Sequence, residues 1–173
     1  MMEKRQNAIT FAGNPLTLAG SEIKVGQQAP DFQVIANDLS SVSLKDFEGK
    51  VKVFSIVPSL DTGVCDAQTR WFNQFATSLS NDVVVLTVSM DLPFAQKRFC
   101  GAAGIENVIT LSDYRYASFG EAYGVLIDEL RLLTRAIVIA DKDNVVRYVE
   151  IVPEVTTPPN YEKAEEALKA IVG

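Results

Sequence analysis

Three short apolar runs rich in β-branched residues divide this chain: residues 51–57, Val83–Ser89 and Ala136–Ala140. Each is apolar on both faces and too short for a buried helix, so each predicts a strand covered on both sides. The third is followed by Asp141-Lys142-Asp143-Asn144 and then by residues 145–152, which predicts an antiparallel hairpin. Between the strands the period changes. Trp71, Phe75 and Leu79 recur every fourth residue with Phe72 and Ala76 beside them, the pattern of a helix with one face inward. Pro93 suits a first helical turn, and residues 94–100 continue that helix to a stop at Gly101. Residues 116–123 predict a helix ended by Gly124, and Asn160 caps a last helix carrying Ala164, Leu168 and Ile171 on one side. Towards the N-terminus, residues 9–11 and 16–18 flank Gly13-Asn14-Pro15, so a β-hairpin is expected over 9–18. Short strands are expected within 32–35 and 42–44. The fold class is therefore α/β, with a mixed central sheet flanked by helices. No repeat or linker interrupts the pattern, and the expectation is one domain over 1–173.

Composition narrows the partners. With 173 residues, 47% hydrophobic and 22% charged, the chain suits a globular domain with a full core. The net charge of −6 and the scatter of Lys and Arg argue against nucleic acid or an anionic membrane as partner. The first seven residues are polar and lead into no signal-peptide pattern, and no segment is long enough to span a membrane. The expected location is cytoplasmic, where a disulfide is more often transient and catalytic than structural.

Candidate chemistry rests on two cysteines and no histidine. Without imidazole there is no Ser-His or Cys-His pair and no His-ligated metal, and no cofactor motif is present. Cys65 closes the run Pro58-Ser59-Leu60-Asp61-Thr62-Gly63-Val64-Cys65. Pro58 ends the strand because it has no N–H to give. Thr62 is a good N-cap, and with Thr62 at the cap Cys65 is the third residue of the next helix, beside its free N–H groups. A helix end is worth up to ~2 kcal/mol, too little by itself to ionise an ordinary thiol fully near neutral pH. A cation is needed, and Arg135, where the strand Ala136–Ala140 begins, is the candidate. Blander readings stand beside these. Cysteine is commonly a small buried hydrophobe. Trp71, Phe72 and Phe75 read as core, and Tyr148 and the scattered acids as surface. Asp61 should face solvent or pair with a cation, since a carboxylate opposes a thiolate.

Pro58-x-x-x-Thr62-x-x-Cys65 resembles the active-site pattern of peroxiredoxins. The strings 59–65, Asp91-Leu92-Pro93-Phe94-Ala95-Gln96, Arg98-Phe99-Cys100 and Asn107-Val108-Ile109-Thr110-Leu111-Ser112, with the N-terminal hairpin, resemble the bacterial thiol peroxidase branch of that family. The resemblance implies a thioredoxin-like fold with an added hairpin. It implies Cys65 as the peroxidatic and Cys100 as the resolving cysteine of one chain, with Pro58, Thr62 and Arg135 as the peroxide-activating shell. It further implies a hydroperoxide substrate, thioredoxin as reductant and a homodimer. Two other classes remain open: a thioredoxin-like binding or chaperone module with incidental cysteines, and a general thiol-disulfide oxidoreductase. The latter usually carries Cys-x-x-Cys, which is absent, since residue 62 is Thr and residue 68 is Gln.

Overall fold

The buried runs become neighbours in one sheet. A computed structural model describes residues 2–172. Its strands are β1 (Lys4–Phe11), β2 (Asn14–Ala19), β3 (Val34–Ile35), β4 (Ser41–Val42), β5 (Val51–Ile56), β6 (Val83–Ser89), β7 (Ile109–Ser112), β8 (Leu126–Ile127), β9 (Leu132–Leu133), β10 (Ala136–Ala140) and β11 (Val146–Ile151). The helices are α1 (Gly63–Ala76), α2 (Pro93–Ala103), α3 (Ser118–Ala122) and α4 (Tyr161–Val172). A seven-stranded sheet runs β11-β10-β5-β6-β7-β3-β4, and a smaller one runs β1-β2-β8-β9. Strands β5, β6 and β7 are parallel, so α1 and α2 are the crossovers between them, while β10 lies antiparallel to β5.

Alternation along β5 divides the core. Val51 and Val53 pack with Phe72 of α1 and with Ala164 and Leu168 of α4. Phe54 and Ile56 point the other way, into a larger cluster with Phe32, Phe119 and Tyr123. Helices α1, α2 and α4 therefore cover one face, and α3 with the loops covers the other. Ala136 pairs with Ile56, which sets Arg135 beside the chain as it leaves β5 for α1. This register builds the site.

Several boundaries differ from the sequence reading. Helix α2 continues through Gly101 to Ala103 and ends at Gly104, whose φ of 68° is left-handed and whose N–H reaches the Cys100 carbonyl. A glycine inside a helix costs only about 1 kcal/mol relative to alanine, so Gly101 does not stop it. Helix α3 is shorter than expected, because Ala117 at its N-cap has a φ of 51°. The strand expected over 42–44 gives way after Val42 to a 3₁₀ turn, Leu44–Phe47, where the Asp46 carboxylate accepts from the Ser43 N–H at 2.8 Å. The hairpin is longer than 9–18 and turns through Ala12 and Gly13, both with positive φ, as a two-residue turn matched to strand twist requires. Among the described residues, no helix is long and apolar enough to cross a membrane.

Candidate active site around Cys65

The site begins where β5 runs out. The Val57 N–H still reaches the Val88 carbonyl at 3.1 Å, but the buried Pro58 that follows has no N–H, and the ladder stops. The chain turns through Ser59 and Leu60. Both are held by the Asp91 carboxylate, which accepts from the Ser59 hydroxyl at 2.7 Å and the Leu60 N–H at 2.8 Å, and from the Ser89 hydroxyl at 2.7 Å. Thr62 is the N-cap of α1, and its hydroxyl oxygen accepts from the Cys65 N–H at 3.3 Å. Its own proton goes to the Ser59 carbonyl, also at 3.3 Å.

Cys65 lies in the first turn, wholly buried among Val57, Leu60 and Phe99. Arg135 meets it from β10. One terminal nitrogen, Nη2, stands 3.2 Å from the Cys65 sulfur. Nη1 donates to Gln68 Oε1 at 3.0 Å and Nε to the Val155 carbonyl at 2.7 Å. The guanidinium is 2% exposed, and among the described residues it forms no ion pair with a carboxylate. A buried charge without a counter-charge is costly, and the sulfur is the group at hand that can carry one. The structure thus brings together Cys65, Thr62 and Arg135, with Pro58 buried just past the end of β5. Asp61 is exposed.

Cys100 sits in a different environment. It is half-buried in the last turn of α2, its sulfur 3.7 Å from the Thr110 hydroxyl, and it packs with the α1–α4 face of the core. Burial pushes its thiol up from the ordinary value, with the Thr110 hydroxyl opposing. Both cysteines are free.

The residues that sequence reading missed are polar groups inside. Gln68 is fully buried, and its Nε2 donates to the Ser55 hydroxyl at 2.8 Å, which fixes the oxygen that holds Arg135. A signal was present: Gln68 stands three residues after Cys65 and four before Phe72, a polar residue on the inward face of an amphipathic helix. Asp91 lay within a quoted motif but read as surface. The Val155 carbonyl is main chain and leaves no mark in the sequence.

A model of the Redoxin family matches residues 24–168, and the chain belongs to that family. It is 61% identical over 163 residues to a thiol peroxidase of Halalkalibacterium halodurans, covering 94% of this chain and 98% of that one. It is 59% identical over 164 residues to a thiol peroxidase of Bacillus subtilis, covering 95% and 98%. A crystal structure of a peroxiredoxin-like protein from Aquifex aeolicus superposes with a TM-score of 0.89 at 43% identity, over 98% of both chains. The fold is the thioredoxin-like α/β arrangement of the peroxiredoxins, with a β-hairpin added at the N-terminus.

Proposed function

We propose that this protein is a thiol-dependent peroxidase that reduces hydrogen peroxide and organic hydroperoxides at Cys65. The observation that carries the reading is the Arg135 guanidinium 3.2 Å from a cysteine sulfur in the first turn of a helix. The thiolate attacks one peroxide oxygen; an S–O bond forms as the O–O bond breaks. The leaving oxygen takes a proton and departs as an alcohol, or as water from hydrogen peroxide. Arg135, the Cys65 N–H and the Thr62 hydroxyl are the donors that align the two oxygens. Both hydrogen bonds of Thr62 are long, so a peroxide oxygen can replace them at little cost. Pro58 shields the sulfur without offering a competing donor. The apolar wall of Val57, Leu60 and Phe99 suits organic hydroperoxides as well as hydrogen peroxide.

Cys65 is left as a sulfenic acid. The Cys100 thiol displaces its hydroxyl, forming the disulfide and releasing water. A dithiol, for which thioredoxin is the fitting class, reduces that disulfide by exchange and is itself oxidised. The setting is a reducing compartment, the cytoplasm, in keeping with two free cysteines. The chain acts as one domain and pairs as a homodimer near the site, where Leu92 and Phe94 are 50% and 65% exposed on a groove that also contains Asp61 and Arg98.

Cys65→Ser tests the nucleophile. A serine hydroxyl stays protonated near neutral pH, and the chain has no histidine to act as its base. Peroxide consumption with a recycling dithiol should vanish, and substantial residual turnover would place the chemistry elsewhere.

A further inference from the structure

The third anchor of Arg135 leads away from the sheet to the N-terminal hairpin. Val155, whose carbonyl accepts from Arg135 Nε, lies beyond the end of β11. It is held by β1. Its N–H reaches the Thr10 carbonyl at 2.9 Å, and the Thr10 N–H reaches the Pro153 carbonyl at 2.8 Å. Its side chain, 1% exposed, packs with Ile9, Leu18 and Ile127. Between these two backbone bonds stands Glu154, and its carboxylate is saturated with donors. Oε1 accepts from the Thr10 hydroxyl at 2.7 Å and the Gly13 N–H at 2.8 Å. Oε2 accepts from the Ala12 N–H at 3.0 Å and from the Thr156 N–H and hydroxyl at 2.9 and 2.6 Å. These donors, the Thr156 hydroxyl foremost, hold the carboxyl well below the usual carboxylate range.

We propose that Glu154 is a positioning residue for the reaction at Cys65: by clasping the β1–β2 turn it fixes the Val155 carbonyl against Arg135 Nε and so keeps Nη2 on the sulfur. The proposal rests on the reading of Cys65 as nucleophile and Arg135 as its cation. A guanidinium is a rigid planar fork, so a bond at Nε sets both its plane and the direction of Nη2. Gln68 alone fixes one corner and leaves the fork free to pivot. The carboxylate is needed in full, because each of its oxygens faces a backbone N–H. An amide in either orientation would turn an NH2 group against a donor. The hairpin, outside the thioredoxin-like sheet, thereby acquires a part in the chemistry.

A double-mutant cycle tests this, read as the single-turnover rate of oxidation of the reduced full chain by hydrogen peroxide. Glu154→Gln should slow oxidation roughly tenfold, the size of loss expected when a catalytic group is displaced by a fraction of an ångström. In an Arg135→Ala background the same substitution should change the rate by less than about twofold, because the group it positions is gone. Melting temperature should fall equally in both backgrounds, which separates positioning from stability. An unchanged rate in Glu154→Gln, or an equal slowing in both backgrounds, would overturn the proposal. If Glu154→Gln does not fold, Thr10→Val removes one donor to the carboxylate while keeping a β-branched shape. It should give a smaller slowing that again requires Arg135; equal effects with and without Arg135 would overturn the clasp. Arg135→Ala oxidised as fast as the parent would instead overturn Arg135 as the cation, and the clasp with it.

Discussion

Arg135 is a full charge inside the protein, and its neighbours decide whether that charge is an asset. Three acceptors of three kinds surround it: a carbonyl, an amide oxygen and a sulfur. The amide oxygen belongs to Gln68, which joins Arg135 to Ser55 and so locks the guanidinium to β5. Gln68→Leu keeps the volume of the site but strands one guanidinium N–H group and the Ser55 hydroxyl. Each buried group left unsatisfied costs about 1–3 kcal/mol. The urea midpoint should therefore fall by the equivalent of about 2–6 kcal/mol, and peroxide oxidation should slow. An unmoved midpoint would show that neither bond matters to the fold. Cys100 has no comparable partner: among the described residues its sulfur meets the Thr110 hydroxyl and no cation, and burial favours its protonated thiol. The two sulfurs are thus unequal before any peroxide arrives. The sequence was legible for Cys65, Thr62 and Pro58, because the helix start and the strand stop are local. Arg135 was legible only as the residue before a buried strand. Gln68 and Val155 act through contacts 67 and 20 residues away from Arg135 along the chain, which no local pattern announces.

Among the elements, α3 shows how a short helix is held. Its two leading donors, Phe119 N–H and Gly120 N–H, go to the Asp113 carboxylate at 2.9 and 2.8 Å. Asp113 is 1% exposed, and burial outweighs these donors, so its carboxyl is pushed up to about 6. An unfolded Asp titrates near ~3.9. Between these values the folded chain binds the extra proton, so the stability contributed by Asp113 is full below about pH 4 and is lost as pH rises through about 6. Urea midpoints of the parent and of Asp113→Asn, compared at pH 7, 5 and 4, should diverge in favour of the parent as pH falls. A constant difference across that range would remove this assignment. The scattered acids that read as surface in the sequence thus include structural ones: Asp113 holds α3, Asp91 the Ser59–Leu60 turn and Glu154 the hairpin. Continuous apolar runs located β5, β6 and β10, because these strands are covered on both faces. Strands β3 and β4 overlap the segments 32–35 and 42–44 that the sequence marks, whereas β8 and β9 are two residues each, too short for a period to show, and β8 is placed by pairing with β2, distant in sequence.

For the whole molecule, two events remain to be measured, association and oxidation. If the exposed Leu92 and Phe94 are covered by a second copy, sedimentation at micromolar concentration should give a dimer; a monomer would remove that part of the proposed function. Oxidation demands more of the fold. Joining Cys65 to Cys100 closes a loop of roughly 36 residues, which restricts the unfolded chain by about 3.8 kcal/mol in the entropy model. The native state must change to accept it. Phe99 packs against Cys65, while Cys100, the next residue, faces Thr110. Successive residues on a helix point about 100° apart, so α2 cannot offer both to Cys65. Phe99 has to withdraw before Cys100 can approach, and a disulfide requires Cα atoms within roughly 7 Å. Helix α1 is the harder partner to move, since Cys65 is tied through Arg135 and Gln68 to β10 and β5. The C-terminal half of α2 is the easier one: Gly101 lies inside it, Gly104 ends it, and its outer anchors are a long Arg70 contact to the Ala103 carbonyl at 3.5 Å and the stacking of Arg70 over Phe99. One equivalent of peroxide should therefore give an intrachain disulfide and a loss of amide protection over residues 94–104, while 66–76 stay protected. Hydrogen exchange followed by mass spectrometry on the dithiol and disulfide forms reads both. Equal protection of 94–104 in the two forms would exclude the rearrangement, and a mass twice that of the chain under non-reducing, denaturing conditions would exclude the intrachain bridge.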